Sequence, residues 1–386
     1  MRVAFIVQRC GVEVNGGAEA HCLQVAQRMS KHWETEVLTT CALDYMTWED
    51  YYPPGTQQTG GTIIHRFPVD QPRDVEAFNR LSSELHARQA EATIAEQEEW
   101  MRAQGPMSSA LLAYLEENRE EYDRFLFFGY LYATTYFGLP LVQEKALLAP
   151  LAHDEWTIDF TMWDRFFARP QRLIFNTTFE REFLERRFPN QPFEGPVIAV
   201  GIEPPPATNP DAFRERYGFS GPFLLYVGRI DESKGCGELL EDFIRGRNAG
   251  TIEIRLVLAG NEVMPIPFHD DVIHLGFIDE QQKWDAMAAC DWLVMPSPHE
   301  SLSMVLLETW ASGRPALVTA KAEVLVGQCR RANAGLWYEN LREFETILRL
   351  IDAREKAALG ANGRRFVAEN YSWDRVEHDY LRLLGS

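Results

Sequence analysis

Short apolar runs alternate along this chain with longer stretches of helical spacing. In the first half the runs fall at residues 3–7, 35–39, 62–67, 125–128, 147–151, 173–175 and 197–200. In the second they fall at 223–227, 254–258, 272–275, 292–295 and 316–319. Runs that are apolar throughout suit strands covered on both faces, and the helical stretches between them supply the cover. The pattern therefore predicts an α/β protein built on parallel sheets. Between the two series lies GIEPPPATNP, residues 201–210, whose prolines can continue neither a strand nor a helix. It predicts a domain boundary there, with a first domain over 1–200 and a second beginning at 201. Residues 74–121 break the regular spacing with a charged stretch rich in Glu, Gln, Arg and Ala. They predict one or two helices projecting from the first domain, either as a solvated hairpin or as a lid over an acceptor.

At 386 residues and 46% hydrophobic content, the chain is longer than one core comfortably organises, which agrees with two domains. Its formal net charge is −19, with both halves acidic. That charge argues against nucleic acid as a partner and against purely electrostatic adhesion to an anionic membrane. The six cysteines show no CxxC or CxxH pairing, so neither a disulfide framework nor a zinc site is indicated. Reduced thiols and a cytoplasmic location follow as expectations. The first apolar run ends at Val7 before polar residues and a glycine turn, so it reads as a strand and not as a secretory signal. No apolar stretch is long enough to span a bilayer.

Candidate chemistry gathers where strands end and helices begin. The first such place is NGGAE, residues 15–19. Its glycines let backbone amides approach a ligand at a helix amino terminus, where amides and helix dipole favour phosphate; a plain tight turn is the other reading. Glu19 falls in the first helical turn, where a carboxylate suits the dipole with or without a ligand. The second place is YVGRIDESKG, residues 226–235, in which Arg229 and Lys234 bracket a short polar loop before a helix over 237–247. Two fixed cations suit a diphosphate that gains charge as it leaves a sugar. At an effective dielectric near 20, each contributes on the order of 4 kcal/mol at about 4 Å before desolvation. The third is PSPHESLSMVLLETWASGRP, residues 296–315, where Pro296 and Pro298 stop the strand and residues 301–312 have helical spacing. Glu300 then stands near a helix amino terminus and Glu308 within the helix. They are roughly 12 Å apart, too far for the paired carboxylates of a glycoside hydrolase. Such a pair suits two parts of one extended, hydroxylated ligand.

Pro296-Ser297, the Glu300 and Glu308 pair at E-x7-E spacing, ASGRP at 311–315, the Gly228-Arg229 and Lys234-Gly235 loop, Gly16-Gly17 and YSW at 371–373 occur in a telling order. The set resembles the retaining glycosyltransferases of family 4 across both domains. The resemblance implies a GT-B fold, two Rossmann-like domains facing across a cleft, the second over 201–370, with the C-terminal helix, 371–386, crossing back to the first domain. It implies a nucleotide sugar donor on the second domain, its diphosphate held by Arg229 and Lys234 and its ribose hydroxyls by Glu308. Glu300 would face the transferred sugar, with backbone amides around Ser303 and Met304 completing the contact. Gly16 and Gly17 would close on the phosphates from the first domain. His153, in LAHD at 151–154, matches the histidine that relatives place beside the reacting sugar. Two departures stand out: Leu302-Ser303 replaces the Phe-Gly pair common after the first glutamate, and LAGNE at 258–262 lacks the second glycine of a G-x-G turn. They leave the donor sugar and base open.

The implied reaction is glycosyl transfer to an acceptor hydroxyl with retention of configuration. No Asp-x-Asp motif follows a strand where the donor would bind, which predicts transfer without metal or other cofactor. The acceptor is expected on the first domain, near the glycine turn, residues 44–105 and the aromatic stretch WTIDFTMWDRFF at 156–167. Those aromatics read either as core or as contact with a lipid-linked saccharide. The resemblance implies a saccharide or lipid-linked saccharide acceptor in bacterial surface polysaccharide or glycoconjugate synthesis. Peripheral contact with the inner face of the membrane through apolar surface is compatible with that. A sugar-nucleotide epimerase would share the two domains but not the four charged residues at this spacing. A glycan phosphorylase predicts phosphate dependence, and a non-catalytic sugar-nucleotide-binding protein predicts binding without turnover.

Overall fold

The computed structural model describes residues 1–11, 13–14, 16–191 and 193–385, so Asn15 of the glycine turn lies outside the described residues. The chain divides into two compact units, Met1–Val200 with Val376–Ser386, and Gly201–Arg375.

The first unit is built on β1 (Arg2–Arg9), β2 (Glu34–Thr40), β3 (Gly55–Thr59), β4 (Thr62–Phe67), β5 (Arg124–Phe128), β6 (Ala146–Ala149) and β7 (Arg172–Leu173). Its helices are α1 (Gly17–Met29), α2 (Val75–Ala87), α3 (Ile94–Gln104), α4 (Ser109–Glu117), α5 (Ala133–Gly138) and α6 (Thr178–Arg187). The strand order is β3-β4-β2-β1-β5-β6-β7, parallel throughout except where β3 returns antiparallel on β4.

The second unit carries α7 (Pro210–Tyr217), β8 (Phe223–Val227), α8 (Cys236–Ala249), β9 (Arg255–Ala259), β10 (Val272–His274), α9 (Glu280–Ala289) and β11 (Trp292–Met295). It continues with α10 (Met304–Ala311), β12 (Ala316–Thr319), α11 (Glu323–Ala332), β13 (Gly335–Tyr338), α12 (Leu341–Leu350) and α13 (Ala353–Asn370), and α14 (Trp373–Leu384) ends the chain. Its sheet runs β10-β9-β8-β11-β12-β13 and is wholly parallel.

With β3 set aside, both sheets have the doubly wound order of Rossmann-like domains: strands step outward on one side of the first strand, then reverse to its other side. The reversal leaves a crevice at the carboxyl ends of the two central strands, β1 and β5 in one unit, β8 and β11 in the other. Helices on both faces explain the unbroken apolar runs; β1 is buried at every position from Val3 to Arg9.

Two sequence expectations give way. Residues 74–121 do not form a solvated hairpin: α2, α3 and α4 set Leu85, Trp100, Met101, Leu111 and Leu115 into the core of the first unit. A charged helix still buries one apolar stripe. Side chains of Asp74, Thr93 and Ser108 start these helices by accepting amide hydrogens three residues on. Residues 197–200 form no strand, only an isolated bridge from Val197 to Phe175. The two readings of residues 156–167 resolve as core, because Phe160, Trp163, Phe166 and Phe167 are buried there with Trp156 packed at the margin. Strands β3 and β13 escape the apolar pattern, β3 because GTQQT is a polar, exposed edge. Among the described residues no helix is long and apolar enough to cross a membrane.

Candidate functional site

In the second unit the crevice is bordered by the loops after β8 and β11. The first loop passes from Gly228 through one turn of 3-10 helix, Glu232–Lys234, into α8. Asp231 shapes it, accepting the Ser233 amide at 2.7 Å and facing Arg229 Nε at 2.9 Å. Burial alone would raise the Asp231 carboxyl, but the hydrogen bonds from Ser233 and the charge of Arg229 bring it below its usual value. Tyr226 donates its hydroxyl to the Arg229 carbonyl at 2.7 Å. Gly235 closes the loop at φ 73°, and a Cβ there would strike the Pro296 carbonyl. This close approach sets the two loops against each other. Lys234 Nζ accordingly donates to Glu300 Oε1 at 2.9 Å, the two side chains 36% and 15% exposed.

The loop after β11 enters α10 through Ser303, which holds φ 65° and ψ 94°. A side chain in that left-handed region is strained. The Ser303 hydroxyl accepts the Leu306 amide at 3.3 Å and caps the helix, while buried Gln328 of α11 donates to the Leu302 carbonyl. The amides of Ser303 and Met304 donate to no described backbone or side-chain acceptor, so the positive end of α10 keeps free donors. Glu308 lies deeper in the helix and is 8% exposed. Its Oε1 accepts from Lys283 Nζ of α9 at 2.9 Å, and the same ammonium lies 2.9 Å from Glu280 Oε1. Burial pushes the Glu308 carboxyl above its ordinary range, and Lys283 opposes that push.

In the first unit, Gly16 caps α1, and a Cβ there would collide with the Glu19 carboxylate. Glu19 is more than a helix-start charge: it is buried and pairs with Arg9 Nε at 2.6 Å. A Cβ on Gly17 would meet nothing within 4 Å, so no packing contact accounts for this second glycine. His153 lies in the loop after β6, 3.8 Å by its Nδ1 from Glu155 Oε1, which also accepts from the Tyr130 hydroxyl at 2.7 Å. Fully buried Glu180 of α6 anchors that loop, accepting the amides of Ala152 and Asn176, each at 2.7 Å. Burial pushes its carboxyl up to about 8 against the pull of these amides.

The structure thus brings Lys234 and Glu300 into contact and sets Ser303, Met304 and Glu308 on the start and body of one helix. Arg229 shares the loop of Lys234 but turns to Asp231. Gly16, Gly17 and His153 belong to the first unit, in the loops after β1 and β6. Sequence reading gave no role to Asp231, Lys283 or Glu180. Asp231 carried a signal, an acid two places after Arg229 in a polar loop. Lys283 and Glu180 carried none, since each is a charged residue in an ordinary helical stretch.

Residues 221–352 match the family model described as glycosyl transferases group 1. The D-inositol 3-phosphate glycosyltransferase of Stackebrandtia nassauensis is 27% identical over 243 residues, 56% of this chain and 54% of that protein. The chain spans about half the length, or less, of the curated relatives it matches. Among solved structures, sucrose-phosphate synthase from Thermosynechococcus elongatus superposes with a TM-score of 0.73 at 18% identity, over 99% of this chain and 98% of that one. Anabaena HepE, solved in complex with UDP-glucose, gives 0.69 at 13% identity, over 100% and 99% of the two chains. The fold is GT-B, and its second unit carries the match to group 1 glycosyl transferases.

Proposed function

We propose that this protein is a retaining glycosyltransferase that moves a sugar from a nucleoside diphosphate sugar to an acceptor hydroxyl. The observation that carries the reading is the Lys234–Glu300 contact at 2.9 Å. It joins a cation suited to diphosphate and a carboxylate suited to sugar hydroxyls at the switch point of the second unit, beside the free amides of α10. A nucleotide sugar as donor is supported by the complex of HepE, a protein of the same fold, with UDP-glucose.

In this reading the donor diphosphate draws Lys234 from Glu300 and Arg229 from Asp231. Glu300, released, accepts hydrogen bonds from the hydroxyls of the transferred sugar. The charge growing on the leaving phosphate meets Lys234, Arg229 and the amides of Ser303 and Met304, so no divalent ion is required. Retention follows if the acceptor attacks the face that the diphosphate leaves, with a phosphate oxygen taking the acceptor's proton. His153, Gly16 and Gly17 keep in this reading the roles that the resemblance implies for them. The acceptor would be a saccharide or lipid-linked saccharide of bacterial surface polysaccharide or glycoconjugate synthesis, handled in the cytoplasm or at the inner face of the membrane.

Substituting Glu300→Gln tests the assignment. Transfer should fall by about a hundredfold or more, while a nucleoside diphosphate still raises the melting temperature in EDTA by mass action. Transfer near the wild-type rate would remove Glu300 from the mechanism. An unstabilised wild-type protein across UDP, GDP, ADP and TDP would overturn the donor itself. Release of a new nucleotide sugar without any acceptor would favour the epimerase.

A further inference from the structure

Lys283 has no place in the reading so far, yet it is the most constrained cation near the candidate site. Its side chain is 17% exposed and lies 2.9 Å from two carboxylates, Glu308 on α10 and Glu280 one turn before it on α9. Among the described residues these three make no other ion pair within 4 Å. Glu308 is therefore tied through Oε1, and Oε2 accepts from no described residue. A buried carboxylate left to itself takes a proton and becomes a poor acceptor. One held by an ammonium stays ionised, with its free oxygen fixed in direction.

We propose that Lys283 is a positioning residue for the donor ribose. It holds Glu308 charged and in one rotamer, so that the free Oε2 accepts from the vicinal ribose hydroxyls, and Glu280 holds Lys283 in turn. The inference rests on the proposed nucleotide donor. It adds to that reading a residue from a different helix, and it predicts that recognition of the ribose passes through α9. Loss of Lys283 would leave burial acting unopposed on the Glu308 carboxyl, whose ordinary value burial already raises. Nucleotide binding would then strengthen as pH rises. Glu280, exposed on α9, is the other charged group paired with Lys283.

The experiment measures dissociation constants of UDP and GDP and of their 2′-deoxy counterparts on the full chain. The proteins are wild type, Lys283→Met, Glu308→Gln and the double variant, at pH 6.5 and 8.5. For the preferred base, wild type should favour the ribonucleotide by about tenfold, the worth of one charge-assisted hydrogen bond. Lys283→Met should weaken ribonucleotide binding by a similar factor at pH 6.5, recover part of it at pH 8.5, and bring the ribo to deoxy ratio near one. Should Lys283→Met fold poorly, the double variant still reports, since it buries a neutral pair. Adding Lys283→Met to Glu308→Gln should cost nothing further, because both act through one contact. An unchanged ribo to deoxy ratio in Lys283→Met would overturn the proposal, whether affinity is kept or lost equally for both sugars. So would additive losses in the double variant. Failure of the wild type to bind UDP or GDP at all would instead overturn the donor reading beneath it.

Discussion

Ser303 shows how much one position can carry. It occupies a backbone conformation that glycine adopts freely, φ 65°, at the place where the resembling family commonly has glycine. Holding a side chain there costs on the order of 1–2 kcal/mol, against a few tenths lost when a serine cap becomes glycine. Ser303→Gly should therefore stabilise the second unit by about 0.5–1 kcal/mol, read as a rise in melting temperature. A fall would mean that the hydroxyl contact to Leu306 outweighs the strain. Sequence reading marked Leu302-Ser303 as a departure from the family pattern but could not say what it changed, because a dihedral angle is not written in a residue's identity. The same limit applied to Glu300 and Lys234. Each is legible by its chemistry and its loop, while their mutual contact depends on Gly235 pressing against Pro296.

Strand ends, not strand middles, hold the polar machinery, and the amino-terminal edge of the first sheet has its own example. Glu36 of β2 is almost fully buried and meets Arg2 of β1 at 2.6 Å, His65 of β4 at 2.7 Å and the Tyr122 hydroxyl, just before β5, at 2.6 Å. Burial alone would raise this carboxyl, but the bonds from His65, Tyr122 and Arg2 hold it down from 4.5 to about 2. Because the folded value is depressed, the stability it contributes is present above pH 4.5 and is lost as pH falls toward 2. The loss should be about 2–3 kcal/mol. Urea unfolding between pH 6 and 2 should show a steeper acid decline in wild type than in Glu36→Gln; parallel declines would deny the network that role. The elements themselves were largely legible, since apolar runs flanked by helical spacing map onto the central strands of both sheets. β3 was not, being a polar edge, and neither was the burial of α2 to α4, whose charged faces masked a narrow apolar stripe.

The division between the units falls inside α14, whose residues from Val376 onward belong to the first unit. There Glu377 faces Arg28 and His32 at 3.5 Å and Lys31 at 3.6 Å, and Val376, Tyr380 and Leu384 are buried. At the other end of the helix, Trp373 packs on Gly201, where a Cβ would run into the indole ring, and the Ile202 amide donates to the Tyr371 carbonyl at 2.7 Å. YSW at 371–373 thus fastens the start of the second unit to its end. Trp373→Ala should lower stability by about 3 kcal/mol through the cavity it leaves, with the melting temperature of the full chain as the check. A change under about 0.5 kcal/mol would show that the ring is dispensable.

The sequence by itself determined the α/β character with parallel sheets, the proline break at 201–210 and the residue types at the loop ends. These depend on local period, proline and short-range chemistry, which the order of residues contains. Only the tertiary structure decided which charges meet: Lys234 with Glu300, Arg229 with Asp231, Lys283 with Glu308, Glu180 with the loop before His153. Apart from Arg229 and Asp231, which share one loop, such pairs join residues 25 or more apart in the chain. Their partners are chosen by strand order, loop closure and burial acting together, and one sequence read without its fold contains no term for any of these.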